Sequence, residues 1–225
     1  MIITIDGYAG SGKSSAARML AATLGFELMN TGAMYRATAF QLERLGIDIY
    51  ADTRDSERIA ELIAAFHFDV TDIRIRLNGR DVTDSIDSEA MGRAASQVGK
   101  FAEVRTKLKA EQRRIAAGKD MICEGRDQGT AVFPEAPVKF FFTAAAETRA
   151  RRRAEQDGLD PVRDSDGFAK LVEQIVARDK QDEERSIDPL KRAADAVLVD
   201  TSELSLDEVV LRMTHVVNRC RSLAG

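Results

Sequence analysis

The sequence predicts an α/β fold in three layers, helix–sheet–helix, around a parallel central sheet, with a small antiparallel insert and a lid. Three observations predict it. Short β-branched and aromatic runs (Ile2–Ile5, Met121–Cys123, Val138–Phe142, Val197–Val199) alternate with longer stretches of helical period. A glycine-rich loop stands between the first run and the first helix. An Asn78-Gly79 pair between alternating apolar residues breaks the order once, as a hairpin does.

Taken in order, Ile2, Ile3 and Ile5 form a strand that Asp6 and Gly7 end. A helix runs from about Lys13 to Leu24, with Gly25 as its C-cap, and a second from about Thr31 to Leu45, closed by Gly46. Residues 55–65 suit a third helix. Phe66, Phe68 and Val70 then alternate, as do Ile73, Ile75 and Leu77, so residues 66–83 predict a small antiparallel sheet. The expected division is a core of residues 1–65 and 98–225 with an inserted subdomain at 66–97. A long helix at about 101–117 ends near Gly118, and the remaining short strands are separated by helices. Residues 156–167, with Gly158, Pro161, Gly167 and several acids, suit a mobile loop.

Composition narrows the function. A length of 225 residues fits one α/β domain with a modest insertion. A formal net charge of −4 argues against a surface built to follow a nucleic-acid backbone. The arginines are clustered, which favours a small anionic ligand over a polymer. Cys123 and Cys220 are expected as reduced thiols, and His67 and His215 are isolated, so no metal-ligand cluster is foreseen. Met1–Asp6 lead straight into a strand with no basic region or cleavage site, and no apolar run could span a bilayer. A cytoplasmic monomer with no membrane or nucleic-acid partner is the expectation.

Gly7-Tyr8-Ala9-Gly10-Ser11-Gly12-Lys13-Ser14 matches GxxxxGK[ST] between a predicted strand and a predicted helix, which points to a P-loop NTPase fold. Its glycines let backbone N–H groups turn around phosphate oxygens, and the helix that follows presents its positive end. Lys13 should reach the β- and γ-phosphates of ATP, and Ser14 should coordinate Mg²⁺. The dinucleotide fingerprint fails, because Ser15 stands where its last glycine belongs.

Arg178, Asp182 and Arg185 share a helical face. They suit either a helix emerging into solvent or a phosphate clamp, since guanidinium forks bind phosphate bidentately. Arg149, Arg152 and Arg153 suit either a solvated face or a lid closing over ATP phosphates. Glu124-Gly125-Arg126-Asp127 follows a strand at the end where α/β ligands bind. It suits either a turn with a local ion pair or a site in which Glu124 places Mg²⁺ through water and Asp127 accepts from a base amino group.

These segments, together with Asn30-Thr31-Gly32-Ala33-Met34-Tyr35-Arg36, Ala95-Ser96-Gln97-Val98, Arg105, Gln128-Gly129-Thr130, Val132-Phe133-Pro134 and Ala194-Asp195-Ala196, resemble the bacterial cytidylate (CMP) kinase family across nearly the whole chain. The resemblance implies Mg²⁺- and ATP-dependent phosphorylation of CMP, with dCMP as a second acceptor, in pyrimidine nucleotide metabolism. It implies that Gly7 through Ser15 bind ATP, with Arg149 and Arg153 beside a lid at 156–167. Arg36, Arg126 and Arg178 would hold the acceptor phosphate, and Ser96, Arg105 and Asp127 would contact cytosine. Thr31, Tyr35, Asp182 and Arg185 would orient the acceptor. Lys13, Arg126, Arg178 and Arg185 are the expected catalytic groups. Tyr8 departs from the family's usual proline and Asn30 from its usual aspartate. An adenylate, uridylate or shikimate kinase is the alternative within the same fold. A GTPase switch lacks its Asn-Lys-x-Asp motif.

Overall fold

A computed structural model describes residues 1–51, 55–71, 74–158, 160–161 and 163–224. The strand Ile2–Gly7 (β1) leads through a loop to the helix Lys13–Leu24 (α1), and a strand Glu27–Asn30 (β2) leads directly into the helix Thr31–Arg44 (α2). The helix Ser56–Ala64 (α3) precedes three short strands, Phe68–Val70 (β3), Ile75–Leu77 (β4) and Arg80–Asp81 (β5). The helices Glu89–Val98 (α4) and Ala102–Ala116 (α5) follow, then the strands Met121–Glu124 (β6) and Val138–Thr143 (β7). The helices Ala146–Asp157 (α6) and Ser165–Glu184 (α7), the strand Val197–Asp200 (β8) and the helix Leu206–Ala224 (α8) complete the order.

The central sheet is parallel, in the order β2-β6-β1-β7-β8. The strands β1, β6 and β7 read as apolar runs because both faces are covered, whereas Val197 and Leu198 on the edge strand β8 are exposed. On β6, Ile122 faces a cluster with Ile3, Leu20, Phe140, Met213 and Val217. Its neighbours Met121 and Cys123 face a second cluster with Met34, Leu42, Val98, Phe101 and Leu108. Deleting a wholly buried side chain such as Leu20 or Met213 would cost about 2–5 kcal/mol through lost transfer energy and an unfilled cavity.

The small sheet has the expected antiparallel register, Phe68 opposite Leu77 and Val70 opposite Ile75. Asn78 and Gly79 both take positive φ, 52° and 77°, which is what a tight hairpin asks of them. Ile73, part of the expected alternation, lies outside the described residues. Phe68, Val70, Ile75 and Leu77 join the same cluster as α2 and α5, so these strands pack onto the main body.

Two elements differ from the sequence expectation. β2 occupies a stretch that had suggested only a link between helices. At the sheet edge, four residues suffice because β6 supplies the whole ladder. α4 lies in the stretch foreseen as an antiparallel insert, where Gly92 and Ser96 weaken the helical signal. Ser88 caps it, its Oγ accepting from the Met91 amide at 3.2 Å. The expected lid at 156–167 comprises the end of α6, the 158–164 connection and the first turn of α7; residues 159 and 162 lie outside the described residues. Cys123 is buried, Cys220 half-buried, and both are free thiols. Among the described residues, no helix is long and apolar enough to cross a membrane.

Candidate active site

The phosphate loop is built by β1 and α1. At Gly7 a Cβ would lie 2.1 Å from the Phe142 carbonyl oxygen, so the chain passes β7 only as glycine. Gly10 and Gly12 have φ of 74° and 85°. Several loop carbonyls are engaged by side chains. Tyr8 O accepts from Ser11 Oγ at 2.8 Å and from Lys13 Nζ, Ala9 O from Arg149 Nη1 at 3.1 Å, and Ser11 O from Thr201 Oγ1 at 2.9 Å. No side chain caps the N-terminus of α1, so its first N–H groups remain for an anion. Ser14 and Ser15 are exposed at that turn.

Four cations converge beside this loop. Burial and the nearby charge of Arg126 pull Lys13 down to about 7, and Arg178 pushes the same way. Arg178 falls to about 10 through burial, Arg126 and Arg36. Arg36 is lowered by burial, which Asp87 and Glu124 oppose. Arg36, Arg126 and Arg178 reach this place from α2, the turn after β6, and α7. Arg126 Nε donates to Asp182 Oδ2 at 3.0 Å, whereas the buried Nε atoms of Arg36 and Arg178 have no protein partner. A buried lysine and three half-buried arginines that repel one another, with unspent donors, form a site that gains stability when a polyanion enters.

A second constellation adjoins the first. Arg105, 1% exposed, pairs with Asp127, donates to Asp188 Oδ2 at 3.0 Å and to Gly99 O at 3.3 Å, and lies 5.7 Å from the Tyr35 ring centre. Arg185 Nε donates to the Asp188 carbonyl at 2.7 Å, and its guanidinium stands 3.9 Å from Asp127 Oδ1. Burial raises Asp127 while Arg105 and Arg185 oppose it, and burial raises Tyr35. Ser96 Oγ donates to Gly92 O at 3.3 Å, and the same carbonyl lies 3.5 Å from Arg178 Nη2. Thr31 Oγ1 donates to the Glu124 carbonyl at 2.8 Å, fastening the start of α2 to the end of β6.

The structure thus brings Lys13, Arg36, Arg126 and Arg178 within electrostatic reach of one another, with Asp182 bound to Arg126, while Arg185 stands in the second constellation beside Asp127 and Asp188. Arg149 is placed differently. It is buried, all three guanidinium nitrogens are taken by Ala144 O, Ala9 O and Asp179, and it lies 5.3 Å from the Tyr8 ring centre. Arg153 is half-buried one turn further along α6. Three contributors were missed in the sequence. Asp188 takes a left-handed φ of 45° and binds Arg105, Arg185 and Lys109. Thr201 holds the phosphate loop, and Asp179 holds Arg149. Only Asp179 stands beside a residue that the sequence singles out, directly after Arg178.

Ser14 Oγ lies 2.9 Å from Glu124 Oε1, while Glu124 Oε2 is buried without a partner. Among the described residues, no group of three or more His, Cys, Asp or Glu could hold a metal ion. One hydroxyl beside one spare carboxylate oxygen fits a hydrated cation carried in by phosphates better than a metal caged by protein.

Residues 3–219 match the family model described as cytidylate kinase. A cytidylate kinase of Pseudomonas fluorescens strain SBW25 is 42% identical over 232 residues, covering 100% of this chain and 97% of that protein. One from Neisseria meningitidis serogroup A is 40% identical, covering 94% of each. Among solved structures, a shikimate kinase from Bacteroides thetaiotaomicron superposes with a TM-score of 0.52 at 10% identity, covering 97% of this chain and 98% of that one. That likeness is one of fold. With a family model spanning nearly the whole chain and full-length relatives near 40% identity, the chain belongs to the cytidylate kinase family.

Proposed function

We propose that this protein transfers the γ-phosphoryl group of ATP to CMP, giving ADP and CDP, and that dCMP serves as a second acceptor. The convergence of Arg36, Arg126 and Arg178 beside Lys13 carries this reading, because it supplies a cationic seat for a second phosphate next to the first. An oxygen of the CMP phosphate attacks the γ-phosphorus in line. The bond from that phosphorus to the β–γ bridging oxygen breaks, and ADP leaves with the electron pair. The attacking oxygen is already anionic near neutral pH, so no general base is needed. Lys13, Arg126, Arg178 and Arg185 offset the charge that spreads over the transferring group.

Gly7 through Ser15 bind the ATP phosphates, and Arg149 supports them through the Ala9 carbonyl. Asp127 and Arg105, with Ser96, face the cytosine. Thr31 and Tyr35, with Asp182 and Arg185, orient the acceptor. Ser14 and, through water, Glu124 would hold Mg²⁺, which when bound would offset the negative charge of the ATP phosphates. The 156–167 segment with Arg153 acts as the lid, excluding water and so suppressing ATP hydrolysis. The enzyme serves pyrimidine nucleotide metabolism as a cytoplasmic monomer.

A coupled assay with ATP, Mg²⁺ and an acceptor panel tests the reading. CMP and dCMP should turn over with kcat/KM well above AMP, UMP and shikimate. Preferential phosphorylation of any of the last three would overturn it.

A further inference from the structure

Asp6 belongs neither to the phosphate loop nor to the arginine cluster, yet it touches the supports of both. It is the penultimate residue of β1, immediately before Gly7, and is 4% exposed. Its Oδ1 accepts from the Gln128 amide at 2.8 Å and its Oδ2 from the Gly129 amide at 2.7 Å. Both oxygens of one carboxylate therefore hold consecutive amides of a single tight turn, residues 128–132, which directly follows Arg126 and Asp127.

The turn is pressed onto β1 as well as bonded to it. A Cβ at Gly129 would lie 2.8 Å from Thr4 Oγ1, 3.2 Å from Lys139 Cδ and 3.4 Å from Asp6 Oδ2. Gln128, fully buried, is held from the opposite side, its Nε2 donating to Gln112 Oε1 on α5 at 3.1 Å. The turn also closes on itself, with the Ala131 and Val132 amides donating to the Asp127 carbonyl at 2.9 and 3.2 Å. Asp127 is thus fixed at its carbonyl by a turn that Asp6 fixes to the strand carrying the phosphate loop.

We propose that Asp6 is a positioning residue: by holding the Gln128 and Gly129 amides it sets Arg126 and Asp127 at their working distance from the phosphate loop. The proposal rests on the CMP-phosphorylating reading above. Burial pushes Asp6 up to about 7 against the pull of the two amide bonds and of Lys13; in its ionised form its bonds to the amides are charge-assisted, short and directional, and fix the turn more firmly than packing alone. In-line transfer needs that firmness, since a displacement of about 1 Å at the reacting centre can cost on the order of 100-fold in rate. An amide in place of the carboxylate would keep one acceptor and turn its own N–H₂ group against a backbone N–H.

The test is steady-state kinetics of the wild type, Asp6→Asn and Gly129→Ala, varying CMP and ATP separately, with ATP affinity measured by calorimetry. Both variants should raise the CMP KM by about 10-fold or more and lower kcat, while ATP affinity changes less than about 2-fold. A purely structural role would reduce the folded fraction, scaling kcat down with the CMP KM unmoved. That result, or equal losses for both nucleotides, overturns the proposal. If neither variant folds, the wild-type amide resonances of Gln128 and Gly129 decide. They should be strongly protected from hydrogen exchange without ligand and should shift when CMP binds; unprotected amides, or amides indifferent to CMP, overturn it. Wild-type turnover of CMP separates the two ideas. Its absence refutes the activity, whereas normal turnover with an unchanged CMP KM in the variants refutes only the role of Asp6.

Discussion

At the scale of single residues, Lys13 is buried among like charges, and its ammonium is held near 7 when no phosphate is present. A bound triphosphate favours the charged form and raises that value. ATP binding at pH 8 should therefore take up a substantial fraction of a proton, and affinity should fall as pH rises above about 7. Calorimetry in buffers of different ionisation enthalpy reads the uptake directly; no uptake, or a net release, would count against the placement of Lys13 at the phosphates. Lys13→Ala should lower kcat by about 10³-fold with the fold intact by circular dichroism, since one transition-state donor is commonly worth about that much. Asp127→Ala should raise the CMP KM by more than about 10-fold and narrow the preference for CMP over UMP, because it removes an acceptor and leaves Arg105 without its buried partner. Unchanged discrimination would separate Asp127 from base recognition. These proposed roles were open to sequence reading because Lys13 stands in a motif of fixed spacing and Asp127 at the C-terminal end of a predicted strand. Asp188 was not: its importance comes from a left-handed backbone and three cations brought from two helices, and no spacing encodes that.

At the scale of elements, the helices and strands with strong local signals were legible. Gly25 and Gly118 end α1 and the turn after α5 with positive φ, as glycine allows. Asn78-Gly79 marked the hairpin. β2 was hidden because four residues at a sheet edge borrow their order from β6, and α4 because Gly92 and Ser96 weaken its propensity while tertiary contacts sustain it. The turn after α7 gathers Arg105, Lys109 and Arg185 on Asp188 and so joins α5 to the end of α7. Asp188→Ala should lower stability by roughly 1–3 kcal/mol in urea denaturation, because the buried Arg105 and the half-buried Lys109 lose a carboxylate partner. It should also raise the CMP KM, since Arg105 loses one of its two carboxylates. An unaltered unfolding midpoint would place that turn outside the stability of the fold.

At the scale of the whole molecule, the parallel sheet delivers the ends of β1 and β6 to one rim, and α2 and α7 bring their cations to the same place. Neither phosphate seat is complete on one element: the loop depends on Thr201 after β8 and on Arg149 from α6, and the arginine cluster depends on three separate segments. The chain's order of motifs was legible, but its convergence on one cleft is a property of the folded sheet alone. The most direct measurement is a crystal structure with CMP and a non-hydrolysable ATP analogue bound together. The CMP phosphate should lie within hydrogen-bonding distance of Arg36, Arg126 and Arg178 and face the γ-phosphate at Lys13. A CMP phosphate seated away from those three guanidinium groups, or turned from the glycine loop, would contradict the proposed transfer.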